Sequence, residues 1–323
     1  MKTVSRAERL SYVLKADISP VLRVSEGEHF LIETEDNLTG FIKSEKDLPT
    51  LENLQPSTDY TPWKHNPLAG PVYVEGAERG DVLVVHIEEI KPAGQGHTCI
   101  IPGYGPLAES KLWPELGEAY THIIKHLPGP SGTTRDGKAV YREGIVWDLS
   151  PFIGTIGVTP DFEVESSLVG QGMWGGNWDC RDMKEGTELY LPCFHKGALL
   201  YVGDAHATQG DGEWTGMANE TKAEVVLNCR VIKNKKIPYP RLEKEESIIQ
   251  LYTDKPLEAA VNKAVVNLMK WLVEDYGMAP RDAYFQIGVN PDFRINVYQM
   301  VDVGRLHYTV GAEFPKKYLN KKR

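Results

Sequence analysis

The segment Gly203-Asp204-Ala205-His206-Ala207-Thr208-Gln209-Gly210-Asp211-Gly212-Glu213, followed by Glu220, gathers four carboxylates and one imidazole within eighteen residues. Glycines and alanines separate them, so the polar groups carry little bulk between them. Asp, Glu and neutral His are the ligands that zinc and other divalent ions take, and the same groups act as general acids and bases. An acidic, glycine-rich surface turn has a similar composition, so the cluster alone does not decide. Asp204 and His206 are two residues apart and share a face if the segment is extended, which suits two ligands of one ion. Without a cation, carboxylates packed this closely raise one another's pKa. A divalent ion removes that penalty and lowers the pKa of a bound water, which can then attack a polarised carbonyl.

A second polar group lies upstream, in Gly175-Gly176-Asn177-Trp178-Asp179-Cys180. Taken by itself it reads as a tight turn whose Asn and Asp satisfy local amides. Both polar segments, however, flank one expected hairpin, with strands at 189–194 and 198–202 and a turn at Lys196-Gly197. Its outer ends would bring residues near 180 and near 206 together. The combined site then offers Asp179, Asp204, His206, Gln209, Asp211, Glu213 and Glu220. Glu213 or Glu220 is the expected general base, Asn177 or Gln209 an oxyanion donor, and Asp211 a bystander. Cys180 shows no adjacent base and reads as a buried structural thiol. His97, in a glycine-rich loop, is an outlying candidate for the pocket. Trp174, Trp178 and Trp214 would either wall it or belong to the core.

The elements that must position these groups read as strands and turns. Thirty glycines and twenty-one prolines in 323 residues leave no room for long helices to dominate. Val72 to Val74 and Asp81 to Ile90 form a strand–turn–strand pattern, and 224–231 is a further strand directly after the cluster. Segments 43–60 and 105–140 look like long surface excursions. Helical spacing of Leu257, Val261, Ala264, Val265, Leu268 and Leu272 predicts a helix capped by Asp254 and released at Gly277. A shorter helix is expected from Pro280 through Ile287. The fold class is therefore mostly β, α+β overall. The expected divisions are an N-terminal β-rich part (1–160), a β-rich part carrying the acidic/His site (161–245) and an α+β C-terminal part (246–323), together forming one compact unit.

Composition narrows the partners. A net charge of −9 argues against nucleic-acid binding, which needs a basic face. No run approaches eighteen apolar residues, and the N-terminus lacks the apolar core of a secretory leader. No membrane partner and a cytoplasmic location are expected by elimination. The four cysteines form no C-x-x-C pair and are expected to be reduced.

Several stretches resemble the acetamidase/formamidase family. They are the 203–213 segment itself, Asn66-Pro67-Leu68-Ala69-Gly70-Pro71-Val72-Tyr73-Val74-Glu75-Gly76-Ala77, and Gly80-Asp81-Val82-Leu83. Phe152-Ile153-Gly154-Thr155-Ile156-Gly157-Val158-Thr159-Pro160, Gly175-Gly176-Asn177 with Asp179, Leu189-Tyr190-Leu191-Pro192, and Asp292-Phe293-Arg294-Ile295 with Val301-Asp302 complete the likeness. The resemblance covers roughly residues 15 to 310, in order. The resemblance implies hydrolysis of a small linear amide, of formamide or acetamide type, to acid and ammonia. It implies a body with jelly-roll and barrel-like parts, a homo-oligomer (a dimer or higher), and a divalent metal, Zn2+ or else Ca2+. The family's metal pattern would fall on Asp179, Asp204, His206 and Glu220. Trp178, where many members have Met, and Trp214 and Met217, where smaller or aliphatic residues are expected, bear on the substrate. Rival readings are a lactam hydrolase, a metal-free amidase, and a β-rich binding protein with a structural calcium ion.

Overall fold

The computed structural model describes residues 1–50, 52–54 and 64–319. Strands alternate buried and half-buried positions, as in Phe30–Thr34, so each has a face to bury. Two large open sheets result, neither closed into a barrel. One has nine strands and runs from Lys2–Val4 through Phe30–Thr34, Ala223–Ile232, Val82–Pro92, Glu188–Pro192, Arg241–Glu243, Ser247–Asp254 and Tyr308–Pro315 to Arg294–Gln299. The other has twelve, with Leu200–Thr208 at its centre. Ile32, Val85, Ile87, Leu191 and Val225 from the first sheet pack against Val72, Ile153, Ile156 and Val202 from the second, in one continuous apolar core.

The long helix Leu257–Glu274 covers the far end of the nine-stranded sheet. Its Ala260, Ala264, Leu268, Trp271 and Leu272 are buried against Ile248, Val310, Ala312 and Phe314. It ends as expected, with Gly277 at φ 67° and Gly277 and Met278 N–H groups bonding back to Val273 and Leu272 carbonyls, each at 3.1 Å. Its start differs. The N-cap is Pro256 with no side-chain cap, because Asp254 closes a strand and its carboxylate accepts from Lys255 N–H at 2.8 Å and Lys263 Nζ at 2.5 Å. The shorter helix is Pro280–Val289. No helix among the described residues is long and apolar enough to cross a membrane.

Two further expectations fail. The 189–202 hairpin does not exist: Glu188–Pro192 lies in the nine-stranded sheet and Leu200–Thr208 in the other. The expected strand–turn–strand of Leu68–Val74 and Val82–Pro92 does form, with its two strands likewise split between the sheets. In both cases the turn carries the chain across the sandwich rather than back along one sheet. The 105–140 segment contains strands Tyr120–Leu127 and most of Lys138–Arg142. Residues 43–50 and 52–54 carry no strand or helix, and the rest of that expected excursion lies outside the described residues.

Candidate active site

The site is assembled around the strand Leu200–Thr208. On one side it pairs with Phe152–Val158, which in turn pairs with Gly175–Asn177, so Thr155 stands opposite both Gly203 and Asn177. That intermediate strand, not a hairpin, brings Asp179 beside Asp204 and His206. On the other side Asn219–Thr221 sets Glu220 directly across from His206, and Glu220 pairs in turn with His97. Glu213 arrives from the short turn Asp211–Glu213. Gly154 leaves the space for the carboxylates: a Cβ there would lie 2.8 Å from Asp179 Oδ1 and 2.9 Å from Asp204 Oδ2.

Asp179, Asp204, His206, Glu213 and Glu220 are all buried. His206 Nε2 lies 3.2 Å from Glu220 Oε2, 3.4 Å from Asp204 Oδ1 and 3.9 Å from Asp179 Oδ1. Those three oxygens have no hydrogen-bond partner. Each carboxylate is anchored through its other oxygen. Asp204 Oδ2 accepts from Asn66 Nδ2 at 2.9 Å and lies 3.1 Å from the Thr155 hydroxyl. Glu220 Oε1 accepts from Ala218 N–H at 3.0 Å, and Asp179 Oδ2 from Gln299 Nε2 at 3.4 Å.

Gln209 fixes the imidazole. Its Nε2 donates to the carbonyls of Asp179 and Tyr298, each at 2.9 Å, so its Oε1 must face His206 Nδ1, 2.8 Å away. An amide oxygen only accepts, hence Nδ1 carries a proton and Nε2 faces the three carboxylate oxygens, offering them a lone pair whenever the ring is neutral. Lone pairs converging in a dry interior repel one another. A cation satisfies all four at once, and one imidazole with three carboxylates is a donor set that suits zinc. Glu213 joins His206 and Glu220 within ligand range.

Without a cation the same groups hold protons instead. Burial, then the Asp204 charge, pushes Asp179 up to about 7. Burial and the neighbouring carboxylates also raise Glu213 and Glu220. Burial works to lower His206, but the Glu220 and Asp204 carboxylates outweigh it and raise its pKa well above the usual range. The cluster holds more negative charge than its surroundings solvate, so protons or a cation must sit there.

Above it opens a cavity of about 150 Å³, walled by Tyr104, Leu116, Leu168, Met217, Val301 and Leu306. The acetamidase/formamidase family model matches residues 3–171 and 168–315. The chain belongs to the acetamidase/formamidase family. A crystal structure of acetamidase from Yersinia enterocolitica is 32% identical with TM-score 0.86, covering 99% of this chain and 93% of that one. A Bacillus halodurans acetamidase structure is 30% identical with TM-score 0.83, covering 96% of each. The acetamidase of Mycolicibacterium smegmatis is 29% identical over 248 residues, 61% of this chain and 59% of that protein. The chain spans about three-fifths of the length of the curated relatives it matches.

Within this family framework the expected site residues meet, with corrections. Gln209 is no oxyanion donor: both its N–H groups are spent on carbonyls. Asn177 lines the cavity and donates from Nδ2 to Leu168 O at 2.8 Å, which leaves one amide proton. Asp211 is exposed and ion-paired with Arg181. Trp178 is core, stacked on Tyr239 and away from the cavity, whereas Trp214 and Met217 line it. Cys180 is buried and its thiol is raised well above its ordinary value by burial, which keeps it protonated. Sequence reasoning missed Asn66, Thr155, Gln299 and the space at Gly154. Asn66, Gly154 and Thr155 lie inside the family-like stretches, a signal that marked the stretch without the role. Gln299 carried no signal.

Proposed function

We propose that the protein hydrolyses a short linear amide, of formamide or acetamide type, to a carboxylic acid and ammonia. The supporting observation is the set of three unpartnered carboxylate oxygens facing His206 Nε2 at the base of a cavity of about 150 Å³. A cavity of that volume takes about one benzene, which leaves room for a short amide. Asp179, Asp204, His206 and Glu220 are the residues that would hold a divalent ion. The imidazole favours zinc over calcium, which takes oxygen ligands. When bound, such an ion supplies Lewis acidity for an amide carbonyl and for ionising water.

The chain's own groups do the rest. Glu213, raised in pKa and facing the cavity, takes a proton from water and returns it to the departing nitrogen, so that ammonia rather than amide anion leaves. The remaining Asn177 N–H donates to the oxygen that becomes negative. Leu116, Leu168 and Val301 keep competing water from the acyl group. The test is ammonia release from formamide and acetamide before and after chelation, with metal content measured alongside. Activity should vanish on chelation and return with zinc. A fully active metal-free enzyme refutes the metal role, and no ammonia from any short amide refutes the hydrolysis.

A further inference from the structure

A second cavity, of about 630 Å³, lies beside the first, and Met217 lines both. Its walls include Arg181, Lys184, Tyr141, Trp147, Ser150 and Thr208. Two acids also line it, and both are already engaged. Asp182 accepts from Lys244 Nζ at 2.9 Å and the Tyr298 hydroxyl at 2.7 Å, and Asp148 pairs with Lys138 at 2.6 Å.

The cations are less satisfied. Arg181 donates from one terminal nitrogen to the Gln209 carbonyl at 3.3 Å and pairs through the other with exposed Asp211. Its Nε is buried with no partner. Lys184 has no carboxylate partner among the described residues. Beside them the rings of Tyr141 and Trp147 lie 5.8 Å apart, and Trp147 Nε1 is anchored to the Thr208 hydroxyl at 3.2 Å. One guanidinium N–H without an acceptor and an ammonium without a carboxylate, next to an aromatic wall, match a ligand with an anionic head and an apolar body. A guanidinium flanked by an ammonium suits a carboxylate head.

We propose that this cavity is a binding site for a small organic carboxylate, held by Arg181 and Lys184 with its apolar part against Tyr141 and Trp147. The site is separate from the amide cavity and does not depend on the hydrolytic reading. Calorimetric titration with benzoate, at constant ionic strength in the absence of any amide, tests it without reference to turnover. Saturable binding is expected, weakened at least tenfold in the Arg181→Gln/Lys184→Gln variant, whose two side chains are half-buried in the wild type. Trp147→Phe should remove most of the accompanying tryptophan fluorescence change. No saturable binding, or the same affinity in the double variant, overturns the proposal. So does competitive displacement of benzoate by acetamide, since that places it in the amide cavity.

Discussion

Adding one methyl group at Gly154 tests whether the site geometry matters as argued. Gly154 has an ordinary backbone φ, so alanine costs nothing in conformation and the effect is steric. The new Cβ would lie 2.6 Å from the Asp204 carbonyl, 2.8 Å from Asp179 Oδ1 and 2.9 Å from Asp204 Oδ2. Ordinary contact begins at 3.4 Å, so the shortfalls are about 0.8, 0.6 and 0.5 Å. Two of the three atoms are site oxygens, and the third belongs to the strand that carries them. Overpacking of this kind costs about 1–3 kcal/mol. Catalytic groups tolerate displacements of only about 0.5 Å, and about 1 Å costs roughly a hundredfold in rate. Gly154→Ala should therefore lose tenfold to a hundredfold or more in kcat/KM for acetamide, bind less metal and melt several degrees lower. Gly288→Ala is the control. Gly288 lies in the helix Pro280–Val289 with nothing near its missing Cβ, and alanine there should stabilise by about 0.5–1 kcal/mol with unchanged kinetics. Wild-type kcat/KM and metal content in Gly154→Ala would refute the account of how the carboxylates are seated.

Gln209→Ala removes the acceptor that sets the His206 tautomer, and zinc affinity measured by competition with a chromophoric chelator should fall about 10–100-fold. Cys180→Ala should keep full amidase activity, because the thiol is buried and held protonated; loss of activity with an intact fold would reinstate a thiol mechanism. Burial lowers His97 from 6.5 to about 4. Between those values the unfolded chain binds the proton and the folded one does not, so stability is whole above about 6.5 and is lost progressively as pH falls to about 4. Denaturant midpoints across that range should decline for the wild type and decline less for His97→Gln.

The chemistry of the site was more legible in the sequence than the route by which its parts meet. Asp204, His206 and Glu220 reveal themselves by type and spacing, and they do converge. Asp179 was placed near them for the wrong reason. An apolar run bounded by turn residues marks a strand but not its partner. Leu189–Pro192 and Leu200–Val202 look like hairpin arms, yet the chain between them crosses the sandwich. The strand that does the joining, Phe152–Val158, is buried along its whole length, so it shows no alternation by which to assign its faces. Gln209 was misread because a side-chain amide looks alike in sequence whether it faces a ligand or two backbone carbonyls.

Backbone conformation is the other feature the sequence withholds, and it carries a consequence at Glu213. Asn66, Asp179, Asp204 and Glu213 all have left-handed backbones, with φ of 51, 45, 54 and 44°. For most L-residues this costs about 1–2 kcal/mol, and Asn and Asp pay least. Glu213 pays more, and it also buries a carboxyl whose pKa is raised. Glu213→Gly removes both penalties, against about 0.5–1 kcal/mol for the added freedom of glycine in the unfolded chain. In chelator-treated protein at neutral pH the variant should therefore melt at or above the wild-type temperature while hydrolysing no amide. Strain of this kind persists where function holds it in place. A lower melting temperature would show that Glu213 is there to stabilise the turn, and proton transfer would then have to be sought at Glu220.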